Sequence, residues 1–397
     1  MSFENSALIV GAGIGGLAAA ISLRQAGWDV RVFERAASPR ELGFALLLAP
    51  NAMHALGALG LAEAARRGGW VATDGQMRRP DGTVLRRFNT ATARALLDED
   101  TVCILRTVLH GALLDAVGRD AISAAREVTG FTSSGEGVEL TIANGTTASG
   151  RILIAADGVG SLIRRRLHPA EGAPRRSGLL AIRGVARDAV QHLGHASGAQ
   201  YFGRGLEAGV ARAGEREVYW YLSLRADLLA RQRAGEGTAV GSGTAAEIAE
   251  RCTSEFHEPF RAIVRATSTD DLRLDALFDR EPMDDWGAGP VTLLGDAAHP
   301  MLPHAGQGAA QALEDAVALG QVLDAAGDNG APEAALRRYE RVRSARTRVV
   351  VKLARSNARV GSLKSGLGCW IRDLGIRFVP ESVILKQLVA LGRPPAP

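Results

Sequence analysis

Short apolar runs alternate along this chain with longer stretches in which apolar residues recur at helical spacing. Ser6–Val10 is apolar and β-favouring. After a glycine turn, apolar positions at Leu17, Ala20, Ile21 and Leu23 predict a helix that stops near Gly27. Asp29–Phe33 reads as the next strand and ends at Glu34. A second buried-strand pattern opens the segment Arg151–Arg165 and ends in Asp157-Gly158. A third starts at Val291 and ends in Gly295-Asp296. An irregular turn with Pro300, Pro303, His304 and Gly306 comes next, and a long apolar-periodic helix then opens at Gly306-Gln307-Gly308. Continuous apolar runs followed by helices are the mark of a parallel sheet covered on both faces.

The middle of the chain changes period. Ala181–Val185 and Gln200–Leu224 alternate and carry aromatic and β-branched residues, with Gly214 as a hairpin turn, so they read as antiparallel strands of a second domain. Along Val218–Ser223, Tyr219, Tyr221 and Ser223 share one face, and Val218, Trp220 and Leu222 share the other. One face should pack on the core and one should line a pocket, and the pattern leaves open which. Ala230–Thr269 reads as helical and turn-rich, and Pro332–Arg359 as one or two Arg-rich helices, with a short tail after Gly361. There is no internal repeat and no sign of a separate C-terminal domain.

Composition narrows the function classes. A chain of 397 residues, 46% hydrophobic and 23% charged, suits a soluble enzyme of two domains. Of its 47 basic side chains only Lys352, Lys364 and Lys386 are lysine, a bias of codon usage more than of a nucleic-acid surface. The formal charge is only +4, and no arginine run interleaves with aromatics. Cys103, Cys252 and Cys369 are odd in number and far apart, so neither a disulfide framework nor a metal-ligand spacing is present. Glu4 stands where a signal peptide would want basic residues, and no apolar run reaches the roughly 20 residues of a membrane span. A cytoplasmic location is expected.

Three motifs carry the chemistry. Strand, turn Gly11-Ala12-Gly13-Ile14-Gly15-Gly16, helix and Glu34 together form a dinucleotide fingerprint. In it Gly11 makes the tight turn, Gly13 admits a pyrophosphate, Gly16 lets helix approach strand, and Glu34 would hold ribose hydroxyls. It occurs once, so a second nucleotide would have to bind without its own Rossmann unit. Asp296 at a strand's carboxyl end faces the crevice where ligands sit in open α/β sheets, or else caps the following turn. Asp157 has the same two readings. Bare amides at Gly306-Gln307-Gly308 would stabilise an anion. His299 and His304 are five apart on a proline-rich loop with no third ligand near in sequence, which argues against a metal.

These three stretches resemble the single-component FAD-dependent aromatic hydroxylases of the salicylate-hydroxylase type. The resemblance implies an α/β fold in which a Rossmann-like FAD-binding domain carries an inserted antiparallel-sheet substrate domain and C-terminal helices. It implies an FAD domain over 1–72, 97–172 and 270–330, a substrate domain over 73–96 and 173–269, and a helical segment over 331–397. By the same resemblance Gly11, Gly13, Gly15, Gly16, Glu34 and Arg35 hold the ADP half of FAD, and Asp296 the ribityl chain. Gly306, Gln307 and Gly308 meet the flavin ring, Arg106 and Arg40 touch FAD, and Asp157 and Arg164 serve both FAD and the nicotinamide. Pro303 and His304 fall in the family's flavin-side proline loop and are the catalytic candidates, with His304 the nearby group that could assist a phenol's deprotonation. Leu47, in the run Phe44–Leu48, stands where some relatives place a titratable group, so that stretch supplies no base. Tyr219, Tyr221, Trp220, Tyr201 and Arg183 are pocket candidates, with Arg212 beside them.

The activity implied is a monooxygenation. NADPH or NADH reduces FAD, and O2 then gives a flavin hydroperoxide that hydroxylates, or epoxidises, an electron-rich aromatic or polyene small molecule. The expected enzyme is a monomer or homodimer with no nucleic-acid or membrane partner. A flavin-dependent halogenase would carry a Trp-x-Trp-x-Ile-Pro signature, absent here. A polyprenyl-type reductase of related fold would not consume oxygen, and an FAD-holding protein without turnover would not oxidise NAD(P)H.

Overall fold

The computed structural model describes residues 5–38, 44–194, 196–229, 244–325 and 331–393. Its first layer is a parallel sheet of five strands in the order Val291–Leu293, Ile152–Ala155, Ser6–Val10, Asp29–Phe33 and Ile122–Ser123. The strands Val291–Leu293, Ile152–Ala155 and Ser6–Val10 are almost wholly buried, as expected of a sheet covered on both faces. Helices Ile14–Gln25 and Gly308–Asp324 pack together against it. Small residues make that contact possible. A Cβ on Gly15 would lie 2.8 Å from Leu294 Cδ2 and 3.2 Å from Ala312, and one on Gly320 would lie 2.2 Å from Ser22 Oγ. Gly15 is therefore a packing residue more than a cofactor contact.

The second layer is a seven-stranded sheet. Its order is Leu272–Asp279, Arg175–Arg187, Glu217–Arg225, Leu206–Arg212, Gly198–Phe202, Asp74–Arg78 and Val84–Asn89. All its neighbours are antiparallel except Gly198–Phe202 beside Asp74–Arg78. The expected hairpin at Gly214 is present between the third and fourth of these strands, and the segment Gln200–Leu224 holds a further turn at 203–205. Leu272–Asp279 pairs with Arg175–Arg187 and so lies in this sheet, not with the parallel layer where the boundary at 270 put it. Helices Ala245–Cys252 and Glu258–Arg265 cover its back face over a core of Trp220, Leu222, Phe256 and Phe260.

A three-stranded sheet joins the layers, with Val102–Leu105 between Ala45–Leu48 and Trp70–Val71. Pro332–Gly361 is one helix of 30 residues. The chain beyond Gly361 is more than a short tail, because Gly366–Phe378 and Glu381–Gly392 are helices. The exposed Leu367, Trp370 and Ile371 blur the apolar period that would have marked the first of them.

Candidate active site

Four motifs converge because four parallel strands end on one edge. Ser6–Val10 runs into Gly11, Asp29–Phe33 into Glu34, Ile152–Ala155 into Asp157, and Val291–Leu293 into Gly295-Asp296. This carboxyl edge is where an open α/β sheet leaves its crevice. Gly11 has φ +103°, and a Cβ there would stand 2.4 Å from the Ala156 carbonyl oxygen, so only glycine fits between the two strand ends. Glu34 reaches back to the turn, accepting from Ala12 N at 2.9 Å and Ala36 N at 2.8 Å. Arg35 beside it is exposed. Helix Ile14–Gln25 begins at Gly13 with no side-chain cap and no acid in its first turn, which leaves its positive end for an anion.

Asp296 is the one exposed residue in the stretch 291–300. Hydrophobic burial thus seats the whole loop while this carboxylate stays at the crevice. The next segment turns through Pro303–Ala305, passes Gly306 at φ +62° and enters helix Gly308–Asp324, again without a side-chain cap. An uncapped helix start, an exposed acid and a glycine cradle are the donor and acceptor set that a flavin dinucleotide needs. The Gln307 side chain does not share in it, because it is buried against Asn51, whose Nδ2 donates to Gln307 Oε1 at 2.9 Å. Only backbone from Gln307 can face a ligand.

Two expected ligands have other work. Arg164 is 1% exposed. Its Nε and one terminal nitrogen donate to Glu171, and the other terminal nitrogen donates to the carbonyls of Ala297 and Ala298 at 2.8 and 2.6 Å. It is a strut under the loop of Asp296 and is spent before any nicotinamide arrives. Asp157 accepts from Leu162 N at 2.8 Å and so satisfies the first N–H of helix Leu162–Leu167, whose N-cap is Ser161. Its other oxygen is buried without a protein partner, and burial raises its carboxyl above the usual range. Arg40 lies outside the described residues. Arg106 opens helix Arg106–Val117, and its backbone N–H donates to the Phe44 carbonyl at 2.7 Å.

The front face of the seven-stranded sheet looks onto this crevice. Ser223 Oγ and His304 Nε2 are 2.9 Å apart, which ties that face to the proline loop. Tyr219 and Tyr221 stand on the same face and stay partly exposed. Leu47 is 50% exposed, and its strand neighbour Ala45 packs with Tyr219. Arg183 points here too, but its guanidinium lies 4.8 Å from the centre of the Phe44 ring and pairs with Asp275 at 2.5 Å. Arg212 stacks on Trp70 at 3.4 Å and donates to the carbonyls of Gly214 and Glu215.

Trp220 and Tyr201 are on the other face. Strand alternation turns Trp220 into the core, where its indole donates to Thr267 Oγ1 at 2.8 Å. Tyr201 sits behind the sheet against Phe256 and Phe260, beside a separate cavity of about 400 Å³. Trp220→Phe should therefore lower stability by about 1–3 kcal/mol and leave turnover per bound flavin unchanged. Tyr219→Phe should do the reverse. Melting curves and NAD(P)H oxidation on both variants separate the faces, and a Trp220→Phe enzyme that melts normally but turns over poorly would refute the assignment.

Burial holds His304 down to about 4, so it is neutral near pH 7 and a weak base. Its Nδ1 is buried without a protein partner, an atom suited to a bound ligand. Because its folded pKa lies below the unfolded value of about 6.5, its contribution to stability is complete above that value and is lost as pH falls toward 4. His304→Phe should flatten the acid side of the melting-temperature profile between those limits, and an unchanged profile would contradict this. His299, by contrast, is structural: its Nε2 lies 2.6 Å from buried Asp315. Sequence reading passed over Asp315, Arg343 and Glu207, whose burial was hidden among ordinary helix and strand charges.

Residues 4–354 match a family model described as FAD binding domain. The chain belongs to the FAD-dependent aromatic hydroxylases. FAD is its cofactor. It is 32% identical to the aurachin C monooxygenase/isomerase of Stigmatella aurantiaca over 372 residues, 94% of either chain. It is 33% identical to 3-hydroxybenzoate 6-hydroxylase 1 of Aquipseudomonas alcaligenes, over 87% of this chain and 86% of that one. Among solved structures, HpxO of Klebsiella pneumoniae complexed with FAD and uric acid superposes with a TM-score of 0.87 at 26% identity, over 98% of this chain and 97% of that one. Among the described residues, no helix is long and apolar enough to cross a membrane.

Proposed function

We propose that this FAD-dependent monooxygenase uses NAD(P)H and O2 to place one oxygen atom on a largely apolar, electron-rich aromatic molecule held between the Tyr219–Tyr221 face and the loop of His304. FAD supplies the oxygen-transfer chemistry when bound. The protein's share is to hold the cofactor through the glycine turn, Glu34 and Asp296, to exclude water, and to offer an uncapped helix end to negative charge on the ring.

The observation that carries the substrate reading is the engagement of Arg183. A small carboxylated phenol would need an unspent cation in the cavity, because an unpaired charge is costly to bury. Arg183 pairs with Asp275 and stacks on Phe44, which leaves only its Nε buried without a partner, and Arg212 is committed to Trp70 and backbone. Leu47 and Phe44 add apolar wall. The relatives' names span both kinds of substrate, a hydroxybenzoate and aurachin C, and the paired arginine favours the uncarboxylated kind.

The test is a screen of NAD(P)H oxidation over uncarboxylated and carboxylated aromatics and polyenes, with product mass checked for one added oxygen. Oxidation should be slow alone and rise with substrate, as expected where binding gates reduction. Preference for carboxylated phenols would overturn the substrate reading. Failure of every compound to stimulate oxidation by the FAD-loaded protein would overturn the monooxygenase reading of this site.

A further inference from the structure

Strand alternation gives the seven-stranded sheet a second chemical surface, on the face turned away from the flavin crevice. One row across that face runs Val210, Ala199, Gln76, Arg87, each the direct partner of the next on the neighbouring strand. The adjacent row sets Tyr201 beside Arg78. The floor so formed passes from apolar in the middle of the sheet to cationic at the edge strand Val84–Asn89. The cavity of about 400 Å³ lies over it, and Phe260 and Ile263 of helix Glu258–Arg265 close its apolar end.

The walls are largely aromatic. The Tyr201 ring centre lies 5.0 Å from that of Phe260 and 5.4 Å from that of His257, and the Tyr201 hydroxyl is 2.8 Å from His257 Nε2. Burial, and then Arg78, lower His257, so it is neutral at pH 7 and adds no charge.

The polar end carries unspent cations. Arg78 donates from Nε to Gln76 Oε1 at 2.9 Å and from one terminal nitrogen to the Gly82 carbonyl at 3.0 Å, both neutral acceptors. Arg87 is exposed at the mouth. Among the described residues neither arginine pairs with a carboxylate. The one acid in the lining, Asp74, already accepts from Ser197 N at 2.8 Å. On the crevice face, by contrast, Arg183 is paired with Asp275.

We propose that this cavity is a second small-molecule site, separate from the crevice, and that it takes a flat apolar acid. Its ring system lies over Val210 and Ala199 beneath Phe260, and its carboxylate meets Arg78 and Arg87. A guanidinium fork matches a carboxylate in shape as well as charge. The volume is at the lower end of the roughly 300–1,000 Å³ of small-molecule pockets, which suits one or two rings. A cationic ligand would face two arginines, and a wholly apolar one would strip water from them without pairing them. The two faces of one sheet thus sort two classes of aromatic, the uncarboxylated at the front and the carboxylated behind.

The test measures binding of 1-naphthoate to the FAD-loaded protein by calorimetry, with 1-naphthamide as the neutral isostere. Wild type should bind the acid at least about tenfold more tightly than the amide, the margin of one hydrogen bond to a charged group. Saturating acid should also raise the melting temperature, because the site exists only in the folded chain. Arg87→Gln, at an exposed edge position, should remove much of the preference for the acid, and Arg78→Gln combined with it should remove the rest. Ala199→Leu fills the apolar floor and should weaken acid and amide alike. Melting curves without ligand check that each variant is folded. Equal affinity for acid and amide, or no binding of either, overturns the site. So does binding that survives Arg87→Gln and Ala199→Leu and is weakened by Tyr219→Phe, since the acid would then lie in the crevice. The monooxygenase reading fails separately, because none of these measurements depends on NAD(P)H oxidation.

Discussion

Arg343→Met should destabilise the folded protein by about 3–5 kcal/mol, the cost of breaking a buried ion pair by removing one partner. Arg343 lies on the long helix and is fully buried. It donates to Asp315 Oδ1 at 2.6 Å, to Glu314 Oε2 at 2.5 Å, and to the Gln311 backbone and side-chain oxygens at 3.1 and 2.7 Å. Arg346 adds a second cation on Glu314. Asn51 Nδ2 donates to Glu314 Oε1 at 2.6 Å, which draws a third helix into the cluster. Methionine would preserve much of the volume but leave Asp315 with only neutral donors and His299. The second expected effect is on FAD, because Asp315 Oδ2 accepts from Gly295 N at 2.9 Å, and the next residue is Asp296. Adding Glu314→Gln and Asp315→Asn to Arg343→Met should recover part of the loss, since residues in one network are not additive. Thermal melts and FAD titration read both effects, and an Arg343→Met protein as stable as wild type would refute the argument.

The same cluster sets an acid limit. Burial alone would raise Asp315, but His299 and Arg343 outweigh it and hold the carboxyl down to about 2. Its folded pKa is thus below the unfolded value of about 3.9. Its stabilisation is complete above that value, is lost as pH falls toward 2, and is worth about 2–3 kcal/mol by linkage.

Much of this could be read from residues that obey local rules. The glycine turn, the strand ends at Asp157 and Asp296, and the helix opening at Gly308 come from hydrophobic period and backbone chemistry, which are local. The features that could not be read depend on contacts across the chain. Trp220 and Tyr221 are adjacent and alike in type, and only the packing of Phe260 behind the sheet decides which of them faces the cavity. Arg164 reads as a ligand because it comes soon after Asp157. Its partners Ala297 and Ala298 are more than 100 residues away in sequence. Glu207 is one carboxylate among 43 acidic residues until Gly209, Gly361 and Tyr221 enclose it. The small strands Ala45–Leu48 and Val102–Leu105 are fragments that become a sheet only when they meet.

Asp296→Ala should weaken FAD binding by about 10- to 100-fold, because a hydrogen bond to a charged group contributes about 1.5–3 kcal/mol and each 1.4 kcal/mol is tenfold. The loop that carries it is held from three sides: Gly295 N by Asp315, the Ala297 and Ala298 carbonyls by Arg164, and the Val291–Leu293 strand by Ile152–Ala155. The Asp296 side chain is exposed at the crevice, so truncation should act chiefly on the cofactor. Asp157→Ala is the contrasting case. It takes away an acceptor from the first N–H of helix Leu162–Leu167, which Ser161 still caps, and so should cost about 1 kcal/mol of stability, while FAD binding should fall less than in Asp296→Ala. Asp296→Asn keeps one acceptor oxygen and should lie between wild type and Ala. Flavin retained through purification and FAD titration of the apoprotein measure the order. If Asp296→Ala kept its flavin and Asp157→Ala lost it, the two carboxylates would have exchanged roles, and the strand end at Asp157 would be the one that grips the polyol.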